Sequence, residues 1–339
     1  ACAEGCDVLI IVVVNADQIN EVLFDGPGAA LGGGFKGTVV ICATVGKKYL
    51  TELVQRVAGL GVEVLDAPVS GASTRAIAGT LAFLVGAEPA VLQHCRPVLE
   101  KMGTIFEMGP TPGDGQSMKM VHQVTAGVNI VAAAEAMALA AGNGLDTRKV
   151  WEVVTHCAGN SFVWGNRVPH MLDDDPTPHA AVDIWPKDLG IVMDAAKRLG
   201  LPCPMVDMAL KQFLAAKDMG LGRSDDSFVV KVYEASLPEG SKRVAQPVQP
   251  AAAVPANPVV ASLPRSVGFI GLGAMGNGMA SNLVRKGVAL QVYARRREVA
   301  DEVVKMGAVF KETPCACAEG CDVLIIVVVN ADQINEVLF

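Results

Sequence analysis

Residues 1–24, ACAEGCDVLIIVVVNADQINEVLF, recur without a single change at residues 316–339. An identity of that length is beyond chance, so the register of the chain has to be settled before any motif is placed. Residues 237–265, LPEGSKRVAQPVQPAAAVPANPVVASLPR, are rich in proline and alanine, lack periodicity and read as a semi-extended linker. The economical account is a tandem array, in which the segment begins inside one copy of a domain, crosses the linker and stops inside the next. The residue at position 1, Ala rather than Met, agrees with an excised segment. Placing 266–315 ahead of 1–236 restores one continuous domain in circularly permuted order, and neighbouring termini would let such a chain close the same fold. The two copies of VLIIVVV, 8–14 and 323–329, then compete for one strand slot. A solenoid is disfavoured, because solenoids need about three or more short repeats.

In the restored order, apolar runs at 267–270, 290–294, 323–329 (or its twin 8–14), 38–43, 62–66 and 81–85 alternate with helix-length segments. Runs without polar alternation mark parallel strands buried on both faces, hence an α/β fold with a Rossmann doubly wound parallel sheet. After Gly113 the pattern turns helical, with segments at 117–143, 147–156, 187–199 and 205–219. The expected organisation is therefore 266–339 as the first part of a Rossmann NAD(P)-binding domain and 1–112 as its second part. An all-helical substrate and dimerisation domain covers 113–236, and the linker 237–265.

The longest wholly apolar run, 8–14, is far short of the ~18 residues of a membrane span, so no membrane partner is expected. Net charge is -7 and the basic residues are scattered, which argues against nucleic acid. The nine cysteines contain no Cys-x-x-Cys pair, and no secretory leader opens the chain. A reducing, cytoplasmic setting and no metal site are expected.

Residues 267–282, VGFIGLGAMGNGMASN, set Gly271, Gly273 and Gly276 in G-x-G-x-x-G spacing directly after an apolar strand and at a helix start. In that context the first glycine permits a tight turn, the second admits a pyrophosphate and the third allows close packing, while the free N–H groups of the helix face the phosphates. Leu272, Ala274 and Met275 complete the turn. About 20 residues on, a carboxylate would bind a ribose 2′-hydroxyl and an arginine would accommodate a 2′-phosphate. The chain has Arg295, Arg296 and Arg297 there, which favours NADP over NAD.

GFIGLGAMGNGMA, DAPVSGA (66–72), GDGQSMKMVHQ (113–123) and PKDLGIV (186–192) together resemble the β-hydroxyacid dehydrogenase family, which includes 3-hydroxyisobutyrate dehydrogenases. NRVPHMLDDDPTP (166–178) and VDIWPKDLG (182–190) particularly resemble its L-threonate dehydrogenase branch. The resemblance covers almost everything but the linker. It implies proton transfer by Lys119, substrate binding by Ser70, Gly71 and Ala72, and cofactor contacts from Thr44, Lys187, and Asn15 and Ala16 or their duplicates Asn330 and Ala331. Where many relatives carry two asparagines this chain has His122 and Gln123, and where a second glycine is usual it has Ala72. It implies a small hydroxy acid as substrate, with L-threonate or a similar sugar acid leading and 3-hydroxyisobutyrate or a semialdehyde as the alternative. It also admits a homodimer, within a larger multidomain chain.

The residues support these roles independently. Hydroxy-acid oxidation releases a hydroxyl proton, and an amine whose pKa is lowered by burial can take it. Lys119 lies among Met118, Met120 and Val121 on an apolar helical stretch, and Gln123 shares its face at i, i+4, where it could hydrogen-bond the substrate. Ser70 and the following N–H groups come at a strand end, where they could hold a carboxylate. A reading of another class is a catalytically silent repeat that binds nucleotide or braces neighbours. Retention of Lys119, Gln123 and Lys187 argues against it.

Overall fold

Short continuous apolar runs become strands and long glycine- and alanine-rich runs become helices in a computed structural model that describes residues 2–26, 28–246, 264 and 266–339. The chain divides into two units, Ala1–Val248 and Gln249–Phe339.

The first unit runs β1 (Val8–Ile11), α1 (Ala16–Asn20), β2 (Gly37–Ile41), α2 (Lys47–Val57), β3 (Val62–Asp66), β4 (Val69–Ser70), α3 (Ala72–Ile77), β5 (Leu81–Gly86), α4 (Pro89–Leu99) and β6 (Gly103–Gly109). Its helical half follows as α5 (Asp114–Gly142), α6 (Thr147–Thr155), α7 (Phe162–Asp173), α8 (Ile184–Leu199), α9 (Pro204–Ala216) and α10 (Val230–Glu234). The sheet order is β1-β2-β3-β5-β4, with β6 paired to β5. β1, β2 and β3 are parallel, as the uninterrupted apolar runs predict. β5, however, runs antiparallel to both β3 and β4, so the sheet is mixed rather than wholly parallel. The cause lies in the connection: a parallel crossover needs a dozen or more residues, usually a packed helix, whereas α3 buries none of its side chains.

The helical half packs around α5. Ala134, Met137 and Ala141 of α5 meet Val168 of α7, Leu189 of α8 and Phe213 of α9 in one core. By length and composition α5 would suffice to cross a membrane, and half of its most apolar window is buried in this unit. Scanning for unbroken apolar runs passes over it because Glu135 and several small residues interrupt the pattern. The sequence reading also omits α7, whose internal Pro169 disguises it. Residues 237–246, assigned above to the linker, instead pack on the helices. Val244 is buried, its N–H donates to Glu234 Oε1 at 2.6 Å, and its carbonyl accepts from Thr147 Oγ1 at 2.7 Å. Apart from residue 264, the rest of the linker lies outside the described residues.

The second unit runs β7 (Val267–Ile270), α11 (Ala274–Arg285), β8 (Leu290–Tyr293), α12 (Asp301–Lys305), β9 (Val309–Phe310), α13 (Pro314–Ala318), β10 (Val323–Ile326) and α14 (Ala331–Leu338). Its four strands form a wholly parallel sheet in the order β10-β7-β8-β9, with Phe269, Val292 and Ala280 at the centre of its core.

The duplicated segment does not contend for one slot, contrary to the sequence expectation. The first copy forms β1 and pairs with β2, and the second forms β10 and pairs with β7. Two sheets, each able to hold one copy, remove the competition. Locally the copies agree. Asn15 accepts from the N–H of Gln18 while Gln18 Oε1 accepts from the N–H of Val14, and Asn330, Gln333 and Val329 repeat both bonds. These reciprocal bonds satisfy helix-start donors within a few residues of chain.

Candidate active site

The substrate-side residues gather where α5 begins against β3 and β4. Asp66, at the end of β3, accepts the N–H groups of Gly113 (2.8 Å) and Gln116 (3.0 Å) on Oδ2, and Gln116 Nε2 (2.8 Å) on Oδ1. A carboxylate facing the free N–H groups of a helix start is favourable in charge and in hydrogen bonding. Burial nevertheless pushes its pKa up to about 6, against the lowering effect of those donors. Gln116 also donates to Ala43 O and accepts from Val45 N–H, so it ties the loop after β2 to the same helix start. Gly115 is required here, because a Cβ would lie 2.1 Å from Leu84 O.

One turn along α5, Lys119 is buried and its Nζ donates to Val69 O at 2.8 Å. Burial lowers its pKa from 10.5 to about 8; the Asp188 carboxylate opposes the shift and Lys187 reinforces it. That value lets the amine exchange a proton near neutral pH. Beside it, His122 and Gln123 join Ser70 to Asp188 through a chain of polar contacts. Ser70 Oγ lies 2.9 Å from His122 Nε2, His122 Nδ1 lies 2.8 Å from Gln123 Oε1, and Gln123 Nε2 donates to Asp188 Oδ2 at 2.5 Å. Because Gln123 gives its N–H to Asp188, its oxygen faces His122 and requires a proton on Nδ1. Burial lowers the His122 pKa, which favours the neutral ring, so Nε2 accepts the Ser70 hydroxyl proton. Ser70 therefore has lone pairs to offer a ligand hydroxyl. Asp188 Oδ1 lies 2.6 Å from Lys187 Nζ, which also donates to Thr44 O at 3.0 Å.

Gly71 takes φ +131 and Ala72 φ +52. Holding a residue with a Cβ in this left-handed region costs roughly 1–2 kcal/mol, and Ala72 bears that strain at the turn after Ser70. Asn15 and Ala16 start α1, and the Ala16 carbonyl accepts from Tyr49 Oη.

In the second unit the glycine turn divides its labour as the motif requires. Gly271 has φ +99 and a Cβ there would meet Val327 O at 2.1 Å; at Gly276 it would meet Gly271 O at 2.0 Å. At Gly273 nothing lies within 4 Å, which leaves room for a ligand at the start of α11. These residues fit a dinucleotide pyrophosphate. Leu272, Tyr293, Arg295 and Arg296 join the turn in lining a groove of about 390 Å³. Ala274 opens α11, and Met275 is exposed beside it. Of the three arginines, Arg297 is engaged with Glu312 at 3.0 Å and stacks on Phe310. Asn330 and Ala331 begin α14, and Val329 and Gln333 line the same groove.

Residues 1–109 and 266–339 match the NAD binding domain of 6-phosphogluconate dehydrogenase. Residues 113–233 match the domain described as NAD-binding of NADP-dependent 3-hydroxyisobutyrate dehydrogenase. L-threonate dehydrogenase of Escherichia coli strain K12 is 41% identical over 241 residues, which span 71% of this chain and 80% of that protein. The chain belongs to the β-hydroxyacid dehydrogenase family. Membership makes it an NAD-dependent hydroxyacid dehydrogenase with a Rossmann-like α/β portion and a helical portion. A 3-hydroxyisobutyrate dehydrogenase structure from Salmonella typhimurium is 40% identical, with a TM-score of 0.62, covering 68% of this chain and 80% of that one. The Mycobacterium tuberculosis 3-hydroxyisobutyrate dehydrogenase structure with L-serine is 28% identical, with a TM-score of 0.57, over 68% of this chain and 80% of that one.

Among the expected residues, Thr44, Ser70, Lys119, Gln123 and Lys187 fall in one connected group of the first unit. The glycine turn, Arg295 and Arg296 form another in the second. Sequence reasoning left out Asp66, Gln116 and Asp188. Each had a visible signal: Asp66 opens DAPVSGA after an apolar strand, Gln116 precedes Lys119 by three residues, and Asp188 follows Lys187. Gln123 was expected to meet substrate, but both ends of its amide are engaged by Asp188 and His122.

Proposed function

We propose that the protein oxidises L-threonate, or a closely similar sugar acid, with Lys119 as general base and, in the reverse direction, as general acid. The buried amine with its pKa near 8, beside the Val69–Ser70 strand, carries this reading. Bound at the glycine turn, the nicotinamide cofactor supplies the hydride acceptor. Ser70 and the backbone at Gly71 and Ala72 orient the acid. The Ser70 hydroxyl, with its proton given to His122, accepts from a further substrate hydroxyl, which favours polyhydroxy acids. Gln123 and Asp188 hold His122, and Lys187 and Thr44 border the cofactor side. Arg295 and Arg296 favour a 2′-phosphate and hence NADP.

The repeat and its linker support an origin in a tandem array inside a larger multidomain chain, with the domain present in permuted order. The resemblance supports a homodimer. All nine cysteines are free, which supports a cytoplasmic setting.

Initial rates on C3 to C6 hydroxy acids with both nicotinamides test the substrate. The highest kcat/KM is expected for L-threonate with NADP. A tenfold preference for 3-hydroxyisobutyrate would instead favour the second reading, which draws on the 40% identity to the Salmonella structure. The cofactor role has its own test. A Cβ at Gly273 meets nothing in the protein, so Gly273→Val should leave Tm within about 2 °C of the parent and weaken NADPH affinity, read by fluorescence titration, at least about tenfold. Unaltered affinity would remove the glycine turn from the site.

A further inference from the structure

A hydroxy acid carries a negative charge into its site, and a carboxylate drawn out of water needs a cation beside it. The lysines of the Ser70 group are engaged otherwise. Lys119 has to be a neutral amine to accept the hydroxyl proton during oxidation, so it does not also hold the charge of the acid. Lys187 Nζ lies 2.6 Å from Asp188 Oδ1 and donates to Thr44 O at 3.0 Å. The cation left over is Arg75, on the short helix that follows the Ser70 turn.

Arg75 does not point away from α3 as an ordinary solvated arginine would. Its N–H donates to Gly71 O at 3.2 Å, and its stem lies flat over the same glycine. A Cβ on Gly71 would stand 2.6 Å from Arg75 Cβ, 2.7 Å from Cδ and 3.1 Å from Cγ, so glycine is required there by the stem as well as by its φ of +131. The guanidinium, bonded directly to Cδ, therefore stays beside the Ser70–Gly71 turn. On its other side Cζ is 5.8 Å from the centroid of the Phe162 ring, at the start of α7 in the helical half. Arg75 is exposed and Phe162 is 75% exposed, so an anion arriving from solvent can meet both. Among the described residues no carboxylate pairs with Arg75.

We infer that Arg75 binds the carboxylate of the substrate and so decides that the site takes acids. Successive residues of one turn then present the three groups that a short hydroxy acid needs. Val69 O holds the Lys119 amine at 2.8 Å, Ser70 offers its hydroxyl oxygen, and Gly71 carries the guanidinium of Arg75 over it. Two residues of extended chain span about 7 Å, room for a short acid with its charged end at Arg75 and its reacting carbinol at Lys119. The planar fork of arginine matches a carboxylate with two parallel hydrogen bonds, which orients the acid as well as attracting it. Phe162 is a positioning residue, whose ring face steadies the guanidinium. The assignment rests on the function proposed above and adds to it the group that reads the charge.

Arg75→Met keeps an unbranched stem over Gly71 and removes the charge. With L-threonate and NADP it is expected to raise KM at least about thirtyfold while kcat stays within about threefold, as the loss of hydrogen bonds to a charged group implies. L-threonamide, the uncharged probe, separates charge recognition from mechanical support of the turn. Used as a substrate or as a competitive inhibitor, it should show a change of less than about threefold between parent and variant. Arg75→Lys keeps the charge without the fork and should recover only part of the loss. Because the side chain is exposed, Tm should remain within about 2 °C of the parent in both variants.

An active parent whose KM for L-threonate is unchanged in Arg75→Met would overturn the assignment and leave the activity standing. Equal losses on the acid and the amide would do the same, since they would mark Arg75 as a support for the turn. A parent inactive on L-threonate would sink the function proposed above, and calorimetric titration with L-threonate would then decide Arg75 separately. Binding by the parent that weakens at least about tenfold in Arg75→Met upholds the carboxylate site. Equal binding by the two, or none by the parent, overturns it.

Discussion

Lys119→Ala is expected to lower kcat by about 10²- to 10⁴-fold, the range typical of a lost general acid–base group, while NADPH affinity stays within about twofold. The expectation follows from where the amine sits: buried, beside the Ser70 strand, with its pKa drawn down to about 8 chiefly by burial. Oxidation needs the neutral amine, so its rate should rise as pH increases through about 8. Reduction needs the ammonium and should fall over the same interval. An unchanged kcat in Lys119→Ala would remove the residue from the chemistry.

The same pKa depression affects stability. Between about 8 and 10.5 the folded protein binds fewer protons at Lys119 than the unfolded chain, so stability rises with pH across that window. Below it the folded state carries the full cost of a buried ammonium, about 3 kcal/mol. Lys119→Met removes that cost but leaves Val69 O without its donor, for a net gain of up to about 2 kcal/mol at pH 7. This variant should be inactive and more stable than the parent, which separates a catalytic loss from a folding defect.

Asp66→Ala should produce the largest loss of stability. It leaves the N–H groups of Gly113 and Gln116 and the Gln116 side-chain amide without their acceptor in a buried place. Each orphaned donor costs about 1–3 kcal/mol. The loss is partly offset because a carboxylate whose pKa burial has raised to about 6 is no longer ionised there, a relief of about 3 kcal/mol. The net loss is about 3 kcal/mol, or roughly 6–12 °C in Tm for a unit of this size. Asp66→Asn does not escape it. Gln116 cannot turn its amide to suit an asparagine, since Ala43 O and Val45 N–H fix its orientation. Thermal unfolding of both variants by calorimetry decides the matter, and a Tm equal to the parent's would mean that Asp66 does not anchor α5.

Several elements were legible because their signals are local. The apolar runs at 267–270 and 62–66 coincide with β7 and β3, and the G-x-G-x-x-G turn falls between β7 and α11 as its spacing requires. The direction of β5 was not legible, because it depends on which neighbour the strand meets after α3 rather than on its own residues. The contacts of the candidate site were equally hidden: Gln123 and Asp188 lie far apart in the chain, and each reads alone as an ordinary polar residue.

The duplicated segment separates the two kinds of information most directly. Its sequence alone determined an asparagine cap and the helix after it, and both copies form them because the cap bonds lie within four residues; the strand before the cap needs a neighbour, β2 in one copy and β7 in the other. What surrounds them was decided by tertiary structure. In the first copy β2 and α2 bury Ile19 and Leu23, and the helix passes into a π-helical turn at Glu21–Asp25. In the second, β7 takes the other edge and Ile334 and Leu338 face outward from a regular α-helix. Burial belongs to the neighbours as much as to the side chain, and one sequence cannot specify which neighbours arrive.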